Sequence, residues 1–94
     1  MIVERSTFKV KQGCMEELAA LAKSECEKEG LSSRIYSPNK APHDTLVIEW
    51  EFESLAESEK FWAEWWAKPE TAAFVEEWYA LTESGGTTEV WNLE

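Results

Sequence analysis

Basic residues are scarce in this chain: nine Lys plus Arg stand against nineteen Asp plus Glu, a formal net charge of −10. Such a charge repels phosphate backbones and anionic lipid heads, so nucleic acids and membrane surfaces are poor partners. Long apolar runs are also missing. The longest, Leu18 to Ala22, is five residues, against the roughly 20 that a membrane-spanning helix needs. The first residues, Met1-Ile2-Val3-Glu4-Arg5, lack a basic stretch followed by an apolar one, so no signal peptide is expected. Cysteine is limited to Cys14 and Cys26. Twelve residues apart on one helix, they stand about 18 Å from each other, far beyond the ~7 Å limit for a disulfide. Two unpaired thiols suit a reducing compartment, and the expectation is a cytoplasmic globular protein.

What is present is unevenly placed. Residues 1 to 48 hold seven acids and seven bases, whereas residues 49 to 94 hold twelve acids and two bases, together with all six tryptophans. With 94 residues, 44% hydrophobic and 30% charged, the chain is a single-domain quantity with one core, neither disordered nor membrane-embedded.

Residues 2 to 10 alternate and are rich in strand formers, which predicts a first strand ended by Lys11-Gln12-Gly13. Met15, Leu18, Ala22 and Cys26 recur at helical spacing between Cys14 and Glu29, with Gly30 as a stop. Leu31 to Tyr36 and Thr45 to Phe52 predict strands two and three, separated by a Pro-flanked loop. Ser54 with Glu57 is a capping-box pair opening a helix through about Ala67. Pro69 is placed to begin a further helix, on which Thr71, Phe74, Val75, Trp78 and Leu81 form one stripe. Gly85-Gly86 is expected to end the helical region, and Thr87 to Leu93 to form the last strand.

The order β-α-β-β-α-α-β matches a ferredoxin-like α+β subunit, an antiparallel four-stranded sheet in the order 4-1-3-2 with helices on one face. Alternation then puts Ile2, Phe8 and Val10 on the helix-covered face with Leu46, Ile48, Trp50 and Phe52. The other face receives Arg5, Arg34, Glu49 and Glu51 as a cross-strand charge ladder, beside Val3, Val47, Tyr36 and Trp91. A bare sheet face carrying these apolar groups predicts a homodimer formed through the sheet faces.

Val10-Lys11-Gln12-Gly13, the acidic first helix, and Val47-Ile48-Glu49-Trp50-Glu51-Phe52-Glu53-Ser54-Leu55-Ala56-Glu57 together resemble the dimeric α+β barrel superfamily, in particular its NIPSNAP-like and antibiotic-biosynthesis-monooxygenase-like (ABM-like) branches. The resemblance implies a homodimer whose two sheets close into a barrel, with a cleft between sheet and helices in each subunit. Members of the superfamily include cofactor-independent oxygenases and haem-binding or haem-degrading proteins, so the fold alone does not set the function. The haem-degrading members use an Asn on the first strand and a His in the second helical region. Here the first strand offers Ser6 and no Asn, and the single histidine, His43, lies in the loop before strand three, so haem degradation is not expected.

The aromatics are the main functional candidates. Phe61, Trp62, Trp65 and Trp66 span an arc of about 140° on their helix, at about 100° per residue, too wide for one flat contact. With Trp50, Trp78 and Tyr79 they either fill the core and the interface of a small dimer or line an apolar ligand cleft. His43-Asp44, in a Pro-flanked loop, reads first as a turn, since adjacent residues there rarely point as a base and its carboxylate must; His43, if that loop folds over the cleft, and Tyr36 are the candidate proton-transfer residues of a cofactor-independent monooxygenase-type reaction. Ser6 is a candidate ligand contact, with Trp50, Phe61, Trp62, Trp65 and Trp78 as cleft walls. No metal site and no cofactor are expected: there is one histidine and no paired-cysteine motif, and Gly85-Gly86 precedes a strand where a phosphate loop needs a helix. The helical acids, such as Glu16-Glu17 and Glu76-Glu77, read as a solubilising face. The alternative to a ligand-binding protein is a non-catalytic structural or protein-interaction module.

Overall fold

A computed structural model describes residues 1–94 and runs β1 (Ile2–Val10), α1 (Met15–Glu29), β2 (Ser33–Tyr36), β3 (Thr45–Phe52), α2 (Leu55–Ala67), α3 (Thr71–Leu81), β4 (Thr82–Asn92). The four strands form one sheet in the order β2-β3-β1-β4, and every pairing is antiparallel. This is the ferredoxin-like order that the sequence predicts.

Two local features set the helix positions. Gly30 adopts the left-handed conformation at φ 67° and ends α1 by donating to the carbonyl of Glu27, a stop that glycine reaches without Cβ strain. At the start of α2, the Ser54 hydroxyl oxygen accepts from the Glu57 N–H at 3.2 Å, satisfying one of the orphan donors of the first turn. Along α1, Leu18, Ala22 and Cys26 are buried at four-residue spacing. They pack with Ile2, Val10, Leu46, Ile48, Trp50, Phe52 and Leu81 into one core between sheet and helices.

The structure corrects the sequence at three boundaries. β2 begins at Ser33, two residues later than expected. Pro69 lies before α3, which starts at Thr71. It forces Lys68 into extended backbone, ψ 137°, as the residue before a proline must be, and so breaks α2 from α3. Gly85-Gly86 does not end a helix. α3 passes directly into β4 at Thr82, and the two glycines, both at φ +103°, form an irregularity inside β4 where the register against β1 slips between Thr7 and Lys9. A Cβ on Gly86 would lie 2.2 Å from the carbonyl oxygen of Thr7, so only glycine fits.

The sheet face away from the helices carries the expected ladder. Arg5 Nε and Nη2 both donate to Oε2 of Glu49, at 2.9 and 2.7 Å. Arg34 Nε and the Tyr36 hydroxyl donate to Oε1 of the same carboxylate, at 3.2 and 3.0 Å. Arg34 Nη1 and the Ser32 hydroxyl reach Glu51 at 3.1 and 3.0 Å. The Arg5 bonds, helped by those from Tyr36 and Arg34, hold the Glu49 carboxyl below its ordinary range despite the opposing effect of desolvation.

Candidate functional site

The site begins with the alternation of β1. Ile2, Glu4, Ser6, Phe8 and Val10 share the helix-covered face, so two polar residues sit in the middle of an otherwise apolar row. Register places Glu4 beside Trp50 of β3 and Val90 of β4, and Ser6 beside Ile48 and Thr88. Glu4 is only 7% exposed. Above it, α2 presents Ser58, Phe61, Trp62 and Trp65 at i, i+3, i+4 and i+7, one continuous stripe.

That stripe supplies donors to the buried carboxyl. Trp62 Nε1 donates to Oε2 of Glu4 at 3.0 Å, and the buried Ser58 hydroxyl contacts Oε1. Ser6 and Thr88 share a hydroxyl–hydroxyl hydrogen bond of 2.9 Å. Desolvation by burial pushes the Glu4 carboxyl above its ordinary value, and the indole N–H of Trp62, which favours the charged form, offsets part of that rise. A carboxyl so placed is suited to exchanging a proton with a bound molecule.

The aromatics run as a connected chain across the space between sheet and helices. Trp50 meets Trp62 edge-on at 5.1 Å between ring centroids, and Trp62 meets Trp65 at 5.6 Å. Trp65 meets Phe74 at 5.6 Å, Phe74 stacks on Trp78 at 5.8 Å, and Trp78 meets Phe8 edge-on at 4.9 Å. Edge-to-face geometry of this kind satisfies ring quadrupoles, yet it leaves space. A cavity of about 410 Å³ remains, floored by Glu4, Ser6, Phe8, Ile48, Trp50 and Thr88 and walled by residues of α1, α2 and α3. Trp66 and Tyr79, 60% and 65% exposed, stand at its edge.

One end of the cavity is tied to α1. Trp65 Nε1 donates to Glu25 at 2.8 Å. Lys68 Nζ bonds Glu29 at 2.5 Å, a contact that raises the lysine's pKa from its ordinary value. Glu16, Glu17, Glu76 and Glu77 are exposed, as the sequence suggests. Glu25 and Glu29 depart from that pattern: both are half-buried and line the cavity.

Of the candidate residues, the structure brings Ser6, Trp50, Phe61, Trp62, Trp65 and Trp78 together around this one cavity. It leaves His43 and Tyr36 outside. His43 is exposed in the loop before β3, where its carbonyl accepts from the Thr45 hydroxyl at 3.2 Å. Its neighbour Asp44 takes φ 54°, and its carbonyl accepts from the Val10 N–H at 2.8 Å. That dyad shapes a turn. Tyr36 lies on the opposite sheet face, bonded to Glu49. Glu4 is the site residue that the sequence pattern does not single out. Its one signal is a carboxylate on the inward phase of a strand, between Ile2 and Phe8.

No family model matches the chain, and no curated protein does. Solved structures do. A NIPSNAP domain protein from Burkholderia xenovorans superposes with a TM-score of 0.86 at 14% identity, covering 100% of this chain and 95% of that one. A NIPSNAP family protein from Agrobacterium tumefaciens gives 0.82 at 20% identity, covering 97% and 90%. An antibiotic biosynthesis monooxygenase gives 0.74 at 16% identity, covering 100% and 99%. The chain therefore has the α+β fold of the NIPSNAP and antibiotic-biosynthesis-monooxygenase proteins, a likeness that extends to the fold alone.

Proposed function

We propose that this protein binds a small, largely apolar aromatic molecule in the cleft between its sheet and its helices. The observation that carries the reading is the cavity of about 410 Å³ walled by tryptophan and phenylalanine, with the polar groups Glu4, Ser6 and Thr88 on its floor. Its size falls in the ~300–1,000 Å³ range of ligand pockets, and its makeup, mostly apolar with a few fixed polar groups, is theirs too. Calorimetric titration with neutral, cationic and anionic bicyclic aromatics tests it. Saturable binding of at least one class, one molecule per chain, is expected, and no binding by any of the three would overturn the reading.

A monooxygenase-type reaction is the finer reading, in keeping with the antibiotic biosynthesis monooxygenase among the structural neighbours, and we propose that it runs without a cofactor. In such a reaction an electron-rich phenol is itself the reductant: one oxygen atom of O2 enters its ring to give a quinone and the other leaves as water, and within the cleft Glu4 is placed to take the phenol's proton. Oxygen uptake in the presence of an electron-rich phenol, abolished in Glu4→Gln, is the outcome that supports it.

The open sheet face supports a homodimer. Val3, Val47, Tyr36 and Trp91 share that face, and Trp91 is 56% exposed. The chain exposes 6337 Å², against about 5,500 Å² for a compact monomer of this mass. The excess is comparable to the ~800 Å² that one partner contributes to a standard interface. The free thiols Cys14 and Cys26 suit a reducing, cytoplasmic setting.

A further inference from the structure

We propose that the cleft selects an aromatic cation, an arylalkylammonium whose charged head sits against Glu4 while its ring lies among the indoles. The inference rests on the reading that the cleft binds an aromatic molecule, and it adds the charge of that molecule. The ionisable lining is one-sided: Glu4, Glu25 and Glu29 face the cavity, and no Lys, Arg or His does. Two of the three already have a cation. Lys68 answers Glu29 at 2.5 Å, and Lys28 stands 4.0 Å from Glu25. Glu4 has none, because its hydrogen bonds come from the neutral groups Ser58 and Trp62.

A buried carboxylate without a counter-ion is costly, and a ligand that brings one relieves the cost. The same walls favour a cation for a second reason, since ammonium groups are attracted to the faces of indole rings. An anionic aromatic of the same shape meets the carboxylate of Glu4, which no cation answers. Outside the cleft, the acidic half of the chain, twelve acids to two bases over residues 49 to 94, raises the local concentration of cations and disfavours anions.

Three isosteric probes separate these effects: naphthylmethylammonium, naphthylmethanol and naphthoate, titrated calorimetrically into the unmodified protein and into Glu4→Gln. The ammonium is expected to bind the unmodified protein about tenfold or more tightly than the alcohol, and naphthoate to bind weakest. In Glu4→Gln the ratio of ammonium to alcohol should fall severalfold, toward the smaller share that the indole faces supply, while the alcohol still binds. An alcohol that binds as tightly as the ammonium in the unmodified protein overturns the charge selectivity and leaves the cleft as a binding site. A preference undiminished in Glu4→Gln places the cation away from Glu4 and also overturns it. Failure of all three probes removes the cleft reading itself, and the ligand series on the unmodified protein does not depend on the variant folding.

Discussion

Trp62 on α2 and Glu4 on β1 meet at 3.0 Å, indole N–H to carboxylate oxygen, which anchors the aromatic helix to the floor of the cleft through a bond that is strongest when the carboxyl is ionised. Replacing Trp62 with Phe keeps an aromatic edge against Trp50 and removes the donor. The expected loss is about 1.5–3 kcal/mol of stability at neutral pH, the worth of a hydrogen bond to a charged group, shrinking in acid. Urea denaturation at two pH values measures it.

Glu4 and Glu49 lie on opposite faces of the sheet, and their linkage to pH has opposite signs. Burial raises the Glu4 carboxyl from 4.5 in the folded protein. Below that unfolded value both states are protonated and Glu4 costs nothing. The penalty grows as pH rises from 4.5 to the folded value and is constant above it. Glu4→Gln is therefore expected to stabilise the protein at about pH 8 and to be neutral at about pH 3. The Ser58 hydroxyl can rotate to accept from the new amide. Glu49 is held below 4.5, so its contribution is complete above that value and is lost as pH falls through the lower folded one. Glu49→Gln should destabilise at neutral pH and not in strong acid; the reverse order in either variant would contradict the assignments.

The charge ladder also bears on assembly. Arg5→Glu sets a carboxylate against Glu49 in the centre of the open face, and Glu49→Lys sets an ammonium among Arg5 and Arg34. Both are expected to shift a dimer toward monomer in native mass spectrometry, because they leave uncompensated charge on the face that a partner would cover, and burying such charge is costly. A dimer unchanged in both variants would place the interface elsewhere.

The alternation of β1 and β3 is legible in the sequence because one face of each strand is apolar, and that alternation alone centres the ladder on Glu49. Helix α2 is legible from Ser54 and Glu57. Two features are not. Glu4 breaks the apolar row of β1, and a pattern of hydrophobes steps over such a break. Gly85-Gly86 has the composition of a loop, and only the approach of Gly86 to the Thr7 carbonyl shows it to be a register slip in a continuing strand. His43-Asp44, by contrast, reads as a turn in the sequence, and the left-handed backbone of Asp44 serves the turn into β3.

The irregularity in β4 supplies a graded test. Gly86→Ala combines φ +103° with a Cβ placed 2.2 Å from a backbone oxygen, whereas Gly85→Ala has the same φ but meets only the flexible Lys9 side chain at 3.3 Å. Gly86→Ala should cost roughly 2–4 kcal/mol and Gly85→Ala roughly 1–2 kcal/mol. Thermal denaturation of the two side by side reads the difference, and equal losses would mean that strand β4 pairs with β1 in another register.

The candidate residues outside the cleft can be separated from those inside it by one comparison. His43→Ala removes an exposed loop side chain, and Tyr36→Phe removes a hydroxyl that bonds Glu49 on the far side of the sheet. Neither touches the cavity, so the affinity for naphthylmethanol is expected to stay within about twofold of the unmodified protein. Trp62→Leu removes a wall of the cavity, its edge contacts with Trp50 and Trp65, and the donor to Glu4. Its affinity should fall by about tenfold or more, the loss of a well-packed aromatic anchor. Should His43→Ala weaken binding as much as Trp62→Leu, the loop before β3 must fold over the cleft when ligand is bound, and His43 would return as a residue of the site.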